Sequence, residues 1–420
     1  MLALEFIRKN PDAVRRAAEL KGEPAPVDEI LRLDGVWRGH LHKAETIKAE
    51  QNELSKEFAR SRDEALKERL RQMAESAKSE LAVAEAVRRE LDDLLLRVPN
   101  LFHESVPVGK TENDNVLTRE WGDKPELGFP PRTHYDIGEA LGILDFEHAA
   151  RVSGSRFAFL IGEGARLERA LVQLMLDVHT REHGYTEVWP PMLVNSASMV
   201  GTANLPKFAD AAFKVEARDL WLIPTAEVPV TNFHRDEILD ADALPLKYVA
   251  YAPSWRTEAG AAGKDTRGFI RLHQFSKVEL VKVTTAETSL EEFEKLTHDA
   301  EDILQRLGLH YRVLSMCTGD MGFAQYKKYD LEAWAPGLDR YLEVSSCSTF
   351  NDFQAMRANI RYRPGRGASP KFAHTINGSG LALTRTIDAI IETYQRADGM
   401  IKVPDVLKPY MGGVELIGAR

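Results

Sequence analysis

The sequence predicts an α+β protein in which an antiparallel β-sheet core, flanked by helices, follows an antiparallel two-helix coiled-coil arm. Three observations predict this fold: a charge-rich helical stretch near the N-terminus, several strand-like segments in the second half, and few helices between those segments. The 420 residues exceed the size of an ordinary domain. We therefore expect an N-terminal domain over residues 1–105 and a larger domain over residues 106–420.

The predicted arm covers about residues 27–98, where aromatic residues are rare and charges of both signs alternate with Leu and Ala. Its second half carries apolar residues at alternating steps of four and three, a heptad pattern that Glu80 interrupts. The heptad positions are Leu66, Leu70, Met73, Ala77, Ala84, Val87, Leu91, Leu94 and Val98. Ser61 and Glu64 resemble a capping box between two helices of about 33 residues, so the hairpin would extend roughly 50 Å.

The charge of the arm does not decide its role. Residues 32–98 contain 14 Lys and Arg against 14 Asp and Glu, so this segment is neutral. A helical spacer or an oligomerisation element would show the same pattern, and an RNA-binding role is permitted without being indicated. The whole chain has a net charge of -9, which excludes a general nucleic-acid binder and requires any RNA contact to use local basic patches.

Composition indicates a soluble, cytoplasmic protein. Hydrophobic residues make up 44% of the chain and charged residues 28%, as in ordinary globular proteins. No apolar run approaches the ~18 residues of a membrane span, and Glu5 interrupts the only apolar patch at the N-terminus, which disfavours a secretory signal. Cys317 and Cys347 provide neither a disulfide framework nor a set of zinc ligands, so we expect no zinc.

After a connector rich in Pro and Gly at residues 99–131, strands dominate the pattern. Residues 165–182 have helical periodicity, and a strand at residues 185–189 follows and stops at Pro190. Further strands are expected near residues 246–251, 275–283, 310–314, 341–347 and 359–362. Because few helices separate them, a mainly antiparallel sheet is favoured over a doubly wound parallel one.

Residues 255–280 give the strongest functional signal, a strand, a loop of small residues and a returning strand. Residues two apart share a strand face, so Arg256 and Glu258 lie together. The returning strand places Phe275, Lys277 and Glu279 on one face. The loop offers glycines and cations suited to phosphates, namely Gly260, Gly263, Lys264, Arg267, Gly268 and Arg271. A hairpin with solvated charges explains each residue alone but explains the set poorly.

This segment resembles motif 2 of the class II aminoacyl-tRNA synthetases, and its His273-Gln-Phe275 ending is similar to that of the seryl enzymes. The resemblance implies that Arg256 holds the α-phosphate and the amino-acid carboxylate. It further implies that Glu258 reads the adenine amino group and that Phe275 stacks on the adenine ring. The other ATP-binding positions that motif 2 implies are Thr257 and Leu272.

Two more segments resemble class II motifs. Gly378 to Arg385, which we predict to open a helix, is similar to motif 3, whose final arginine pairs with the γ-phosphate. Taken alone, this segment would be a glycine-rich helix start with a surface arginine. Gly184 to Pro191 and the helix before it resemble motif 1, which implies a homodimer.

The seryl family also has counterparts of Pro224–Pro229, its serine-site loop, and of Glu343–Ser348, its ATP and magnesium segment. The implied serine-binding residues are Thr225, Ala226, Glu227, Arg256, Glu279 and Ser379. The implied ATP-binding residues of the second segment and motif 3 are Glu343, Val344, Ser345, Ser346 and Arg385, with Mg²⁺ at Glu343 and Ser346. Strand alternation puts Glu343 and Ser345 on one face, so a role for Ser346 requires a bulge or a backbone contact.

The resemblance covers the whole chain and implies a fold of the class II synthetase type with a tRNA-binding N-terminal domain. The implied activity is ATP-dependent conversion of L-serine to seryl-adenylate and pyrophosphate, followed by transfer to the 3′ end of tRNA(Ser) and also of tRNA(Sec). The implied catalytic residues are Arg256, Glu279 and Arg385. Serine's carboxylate is already ionised at neutral pH, so no general base is needed.

Two alternatives remain open at this point. One is a paralogue that charges a carrier protein, and an intact tRNA-type arm argues against it. The other is a non-catalytic RNA-binding regulator built on the same scaffold. Such a regulator would have lost part of the set Arg256, Glu258, Glu279 and Arg385, and all four are present.

Overall fold

The computed structural model describes residues 1–259 and 268–418. Contacts divide the chain into two compact units, Met1–Pro99 and Asn100–Arg420. Four of the predicted loop residues lie outside the described part of the chain: Gly260, Gly263, Lys264 and Arg267. Within the described part, every helix is either too short or too polar to cross a membrane.

The first unit is helical. Its helices are α1 (Leu4–Lys9), α2 (Pro11–Leu20), α3 (Val27–Ser61) and α4 (Glu64–Leu95). The long helices α3 and α4 pack along each other, which confirms the predicted two-helix arm. Ala77, Ala84 and Leu91 of the heptad stripe are buried. Glu80 interrupts that stripe because its carboxylate lies 2.6 Å from the Nδ1 atom of His40 on the opposite helix.

The turn between α3 and α4 differs from the predicted capping box. Helix α3 continues through Ser61 and ends at Arg62, whose φ of 52° is in the left-handed region. The Asp63 carboxylate caps α4 by accepting a hydrogen bond of 2.8 Å from the amide of Ala65. The prediction of Ser61 as the N-cap is therefore wrong, because Asp63 stands immediately before the first helical residue and is an equally good capping residue.

The second unit is built from helices and strands in mixed order. Its helices are α5 (His134–Ala140), α6 (Glu147–Ser153), α7 (Glu163–Arg181), α8 (Ser196–Gly201), α9 (Glu227–Thr231), α10 (Ser289–Arg306), α11 (Phe353–Ala358) and α12 (Leu383–Thr393). Its strands are β1 (Val116–Trp121), β2 (Leu144–Asp145), β3 (Phe159–Leu160), β4 (Thr186–Glu187), β5 (Leu193–Val194), β6 (Lys214–Val215), β7 (Leu220–Leu222), β8 (Ile238–Asp240), β9 (Leu246–Trp255), β10 (Gln274–Thr284), β11 (Tyr311–Ser315), β12 (Lys327–Ala335), β13 (Arg340–Asn351), β14 (Arg361–Arg363), β15 (Lys371–Phe372), β16 (His374–Ala382), β17 (Ile401–Lys402) and β18 (Leu416–Ile417).

An eight-stranded sheet in the order β1-β11-β12-β13-β16-β10-β9-β4 forms the centre of this unit. All its neighbours are antiparallel except β4 and β9, which confirms the predicted antiparallel core. Helices α7, α10 and α12 pack against the sheet and bury its apolar side chains. The core is therefore a sheet with helical cover, as an α+β fold requires.

Three sheet strands differ from the sequence prediction. The supposed connector at residues 99–131 contains the edge strand β1, which pairs with β11. Strand β12 was not predicted at all. Gly378 to Ala382 belongs to strand β16 rather than to the start of a helix, and α12 begins only at Leu383. Glycines suit this stretch because a Cβ atom at Gly378 would lie 2.8 Å from the Cys347 sulfur of the neighbouring strand.

Candidate active site

A cavity of about 360 Å³ opens on the face of the sheet formed by β10, β12, β13 and β16. It collects most of the residues that the sequence singled out. The predicted residues that line it are Thr225, Glu227, Arg256, Glu258, Leu272, Phe275, Glu279, Glu343, Ser346, Ser379 and Arg385. Segments distant in the sequence thus meet at one place, which is the geometry expected of a binding site.

Strand β10 supplies one wall of this cavity. Phe275, Lys277 and Glu279 alternate along the strand and all three line the cavity, as the period of two predicts. The opposite pair Arg256 and Glu258 also lines it, but not for the predicted reason. Strand β9 ends at Trp255, and Glu258 has a φ of 53°, so a turn and not strand alternation brings its carboxylate inward.

Glu279 is at the centre of a buried polar group at one end of the cavity. It is 1% exposed, and its carboxylate accepts a hydrogen bond of 2.6 Å from the Thr225 hydroxyl and forms an ion pair with Lys277. The Asn377 amide donates to its other oxygen at 3.4 Å. Cross-strand register places Ser379 directly opposite Glu279. This end therefore offers a fixed carboxylate and hydroxyl groups to a small polar ligand.

Glu227 is the second carboxylate at this end. It begins α9, and the Gln354 amide donates to it at 2.6 Å, while the Thr375 hydroxyl holds Gln354 at 2.6 Å. Burial, together with the nearby charge of Glu279, raises the pKa of Glu227 to about 7. Two carboxylates face one small space, and Lys277 balances the charge of Glu279, so Glu227 is the carboxylate available to attract an ammonium group.

Arg256 and Phe275 form the middle of the cavity. The Arg256 guanidinium lies 5.0 Å from the centre of the Phe275 ring, and its Nε atom donates to the Pro224 carbonyl at 3.2 Å. These two contacts fix the position of the cation, and Arg256 lines the cavity. At the next position along the cavity, Arg271 donates to the Glu258 carboxylate at 2.7 Å.

Arg385 forms the far end of the cavity. Its Nε atom donates to the Ile270 carbonyl at 3.1 Å, and its Nη1 atom donates to the Glu343 carbonyl at 2.8 Å. The Glu343 carboxylate lies 3.3 Å from the same Nη1 atom. Burial alone would raise the pKa of the Glu343 carboxyl group. The nearby positive charges of Arg385, Lys328 and Arg256 outweigh burial and lower this pKa. The far end is thus cationic with one ionised carboxylate, which suits phosphates and a hard metal ion.

A bulge in β13 explains how Glu343 and Ser346 reach the same cavity. The register with β12 moves from Leu331 opposite Ser345 to Glu332 opposite Glu343, so Val344 has no partner. One extra residue reverses the alternation, and Glu343 and Ser346 consequently both line the cavity. This is the bulge that a role for Ser346 requires.

Four predicted residues do not contribute to the lining of the cavity. Ala226 and Val344 are buried in the core, and the Thr257 hydroxyl donates to the Asp210 carbonyl at 2.6 Å. Ser345 donates to the backbone carbonyl of Ser379 at 2.6 Å, so it supports the wall from behind. The ligand contacts assigned to these four residues stay predictions.

Lys328, which lines the cavity, and its neighbour Asp330 were not predicted from the sequence. Lys328 lines the cavity, and its ammonium lies 3.0 Å from the Asp330 carboxylate. Burial and the charge of Glu343 raise the pKa of Asp330 to about 7. Both residues belong to β12, so only a prediction of that strand could have placed them beside β13.

No group of three or more His, Cys, Asp and Glu side chains in the described residues is arranged to hold a metal by itself. Glu343 and Ser346 offer one carboxylate and one hydroxyl on the same wall. This donor set suits Mg²⁺, which keeps several waters and binds through one or two protein oxygens plus substrate phosphates. The residues present therefore fit a nucleotide-bound magnesium ion.

Comparison with known proteins gives matches for both units. Residues 1–102 match the family described as "Seryl-tRNA synthetase N-terminal domain". Residues 212–394 match "tRNA synthetase class II core domain (G, H, P, S and T)".

Similar proteins extend over essentially the whole chain. A serine–tRNA ligase of Caldanaerobacter subterraneus is 53% identical over 416 residues, which is 98% of each chain. Seryl-tRNA synthetase from Pyrococcus horikoshii complexed with ATP matches with a TM-score of 0.95 and 40% identity over 99% of both chains. The cytoplasmic serine–tRNA ligase of Naegleria fowleri in complex with AMP matches with a TM-score of 0.89 and 34% identity, covering 99% and 98% of the two chains.

Proposed function

The chain belongs to the seryl-tRNA synthetase family of class II, and from that premise we propose how its cavity activates serine. Its activity is that of a serine–tRNA ligase, in which serine and ATP give seryl-adenylate and the seryl group then passes to tRNA. The observation that carries the proposal is that one cavity joins a negative, hydroxyl-lined end to a cationic end through Arg256.

Serine occupies the negative end in this proposal. Its ammonium group faces Glu227 and Thr225, and its hydroxyl meets Glu279 and Ser379. The support is the buried carboxylate of Glu279, which is already held by Thr225 and Asn377. A site built to pair a hydroxyl group rejects an analogue without one by about 10⁴ to 10⁵. Alanine is excluded on this basis, and threonine is excluded because its methyl group needs additional space.

ATP occupies the rest of the cavity. Phe275 stacks on the adenine ring, and Glu258 accepts a hydrogen bond from the adenine amino group. Arg256 then lies between the serine carboxylate and the α-phosphate, while Arg385 neutralises the γ-phosphate. Charged donors placed where negative charge accumulates lower the barrier to phosphoryl chemistry.

The chemical step is attack of the serine carboxylate oxygen on the α-phosphorus. An O–P bond forms to the carboxylate, the bond to the bridging oxygen of the β-phosphate breaks, and pyrophosphate leaves with that electron pair. No proton moves in this step, so the cavity needs positioning groups and not a general base. Arg256 is suited to both reactants because it is fixed by Pro224 and Phe275.

Glu343 and Ser346 would hold Mg²⁺ in this proposal. A bound Mg²⁺ screens the phosphate charge and orients the pyrophosphate leaving group. The pKa of Glu343 is lowered by neighbouring cations, so its carboxylate is ionised when the nucleotide arrives.

We also assign the remaining steps to the rest of the molecule. The N-terminal hairpin binds tRNA(Ser) in this proposal. A second acceptor is tRNA(Sec), because the same seryl-adenylate can transfer its seryl group to either tRNA. The exposed Trp189, 83% accessible and within the motif 1 segment that follows α7 in the sequence, supports a homodimer through that region. ATP and tRNA are both cytoplasmic, which supports the cytoplasm as the working compartment.

Substitution of Glu279 tests the proposal directly. We expect Glu279→Ala to reduce serine-dependent ATP–pyrophosphate exchange by at least about 10³, because serine loses its hydroxyl partner and Thr225 is left unpaired. The matched control is Glu291→Ala, which removes an exposed carboxylate of α10 outside the cavity. Exchange at the wild-type rate in Glu279→Ala, with an unchanged circular dichroism spectrum, would remove Glu279 from the serine site.

A further inference from the structure

Three titratable side chains form a buried cluster behind the ATP end of the cavity. His134, Asp388 and Glu392 are each 0% exposed, and none of them lines the cavity. His134 begins α5, whereas Asp388 and Glu392 stand one turn apart on α12, the helix that carries Arg385. The proposed function gives this cluster no role.

Glu392 fixes the orientation of the imidazole. Its Oε1 atom accepts from the backbone amide of His134 at 2.9 Å and lies 2.7 Å from the ring Nδ1 atom. Its Oε2 atom accepts from the amides of Gly337 and Leu338 at 2.8 and 3.1 Å. A carboxylate with four donors is fully satisfied, so Nδ1 carries a hydrogen and donates it to Glu392.

The other ring nitrogen faces two competing groups. The Phe269 amide donates to Nε2 at 3.3 Å, which requires a free lone pair on that nitrogen. The Asp388 Oδ1 atom lies 3.5 Å from the same Nε2 atom. Neither carboxyl oxygen of Asp388 has a hydrogen-bond partner among the described residues. An ionised, unsatisfied carboxylate facing a lone pair is unfavourable, whereas protonation of Asp388 removes the negative charge opposite Nε2.

The pair therefore holds one proton in either of two arrangements. With the proton on Asp388, the imidazole is neutral and still accepts from Phe269. With the proton on Nε2, the imidazolium faces the carboxylate and the Phe269 amide loses its acceptor. Burial raises the pKa of Asp388 to about 7. The charge of Glu392 raises this pKa further, whereas the charges of His134 and Arg385 lower it.

For His134, burial favours the neutral ring, but Asp388 and Glu392 outweigh burial and raise its pKa, while Arg340 of β13 opposes them. The charged groups that act on the pair are therefore Asp388, Glu392 and Arg385 of α12 and Arg340 of β13. Protonation of both partners is favoured as the pH falls, and the bond from Phe269 to Nε2 is then lost.

The segment that His134 holds is directly connected to the ATP end. At Gly268, where φ is 89°, a Cβ atom would lie 2.7 Å from the imidazole Nε2 atom, so the backbone rests on the ring. The carbonyl of Ile270 accepts from Arg385, and Arg271 follows with its bond to Glu258. The position of the imidazole thus fixes the backbone of residues 268–271, which contacts Arg385 and includes Arg271.

We propose that His134 and Asp388 are positioning residues for ATP: Asp388 carries the shared proton, and neutral His134 holds the Phe269 amide and so aligns Arg385 and Arg271. This inference rests on the proposed assignment of ATP to the cavity, but it does not depend on which amino acid is activated.

Two matched variants test the proposal through binding of a non-hydrolysable ATP analogue, measured by calorimetry with saturating Mg²⁺ and no amino acid. Asp388→Asn keeps a neutral side chain of the same size opposite Nε2 without a titrating group, so we expect its Kd to stay within about twofold of wild type. His134→Phe keeps the ring volume but removes the acceptor, so we expect Kd to increase about threefold to tenfold, the loss of one hydrogen bond.

The pH dependence separates positioning from mere packing. We expect the wild-type Kd to increase as the pH falls from about 7 to about 5, because His134 gains a proton and releases Phe269. In His134→Phe the ratio of the two Kd values should be smaller than in wild type. An equal ratio in both proteins would overturn the proposal, since a structural role of the ring does not titrate.

The Asn variant tests the protonation state of the pair even if His134→Phe fails to fold. If the working arrangement were a carboxylate beside an imidazolium, Asp388→Asn would remove the counter-charge and weaken the analogue tenfold or more. That result would overturn the proposal. Calorimetry without amino acid also separates this test from the proposed function: a wild-type protein that binds the analogue but shows no serine-dependent exchange would count against the serine assignment alone.

Discussion

At the residue scale, burial and charge together set the ionisation of the carboxyl groups at the end of the cavity proposed for serine. Glu227 and Glu279 face the same small space, and burial with the Glu279 charge raises the pKa of Glu227 to about 7. A carboxyl group with this pKa is half ionised at neutral pH. In the proposed site, serine's ammonium group prefers the ionised form, so binding of serine and ionisation of Glu227 should favour each other.

This balance predicts a pH dependence of serine recognition. Below pH 7 the Glu227 carboxyl group is neutral and attracts the ammonium less, so the KM for serine should increase about tenfold between pH 8 and pH 6. The measurement is serine-dependent pyrophosphate exchange at saturating ATP. Glu227→Gln should have a high KM for serine that no longer changes over this range. A pH profile identical to wild type in that variant would contradict the assignment.

Single residues were predictable from the sequence where a strand was recognised. Alternation along β10 placed Phe275 and Glu279 on one wall, and the structure brings them into the cavity. Lys328 and Asp330 were missed because strand β12 was not predicted, although they lie in register with Ser348 and Ser346 of β13. Asn377 was missed because its glycine-rich strand looks locally like a helix start.

At the scale of elements, long periodic segments were predictable and their ends were not. The arm helices have 35 and 32 residues, close to the prediction, because heptad spacing persists over many turns. The cap between them was wrong because Ser61 and Asp63 are both suitable capping residues. The edge strand β1 escaped prediction because its pairing with β11 joins segments almost 200 residues apart, which no local pattern records.

The hairpin α3–α4 makes a prediction at this scale. The contacts of His40 with Glu80 and of Gln51 with Leu70 define its register, so residues 48–73 can be replaced by a short glycine linker. We expect this shortened protein to keep pyrophosphate exchange within about twofold, because the cavity lies wholly in the second unit. Charging of tRNA should fall at least about 100-fold, or roughly 2.7 kcal/mol.

The internal control is to measure both pyrophosphate exchange and tRNA charging in the same shortened protein. Loss of exchange would mean that the arm supports the catalytic unit, and retained charging would mean that tRNA binds elsewhere. The neutral charge of residues 32–98 makes this test necessary, because electrostatics alone does not assign the arm to RNA.

At the scale of the whole molecule, the proposed function assigns the two reactions to different units. The second unit contains the whole cavity proposed for adenylate formation, and the first unit matches the N-terminal domain of the seryl-tRNA synthetases. The net charge of -9 argued against a nucleic-acid partner when taken alone, yet the family shows that such a partner exists. Net charge alone is therefore a poor guide to the partner of this protein.

The most direct test of the central claim is ATP–pyrophosphate exchange by the wild-type protein with serine, alanine and threonine in parallel. The cavity predicts exchange with serine, and discrimination against alanine of about 10⁴ because the buried carboxylate of Glu279 would lose its hydroxyl partner. Threonine should be excluded by the size of its methyl group. Equal exchange with alanine and serine, or none with serine, would contradict the account.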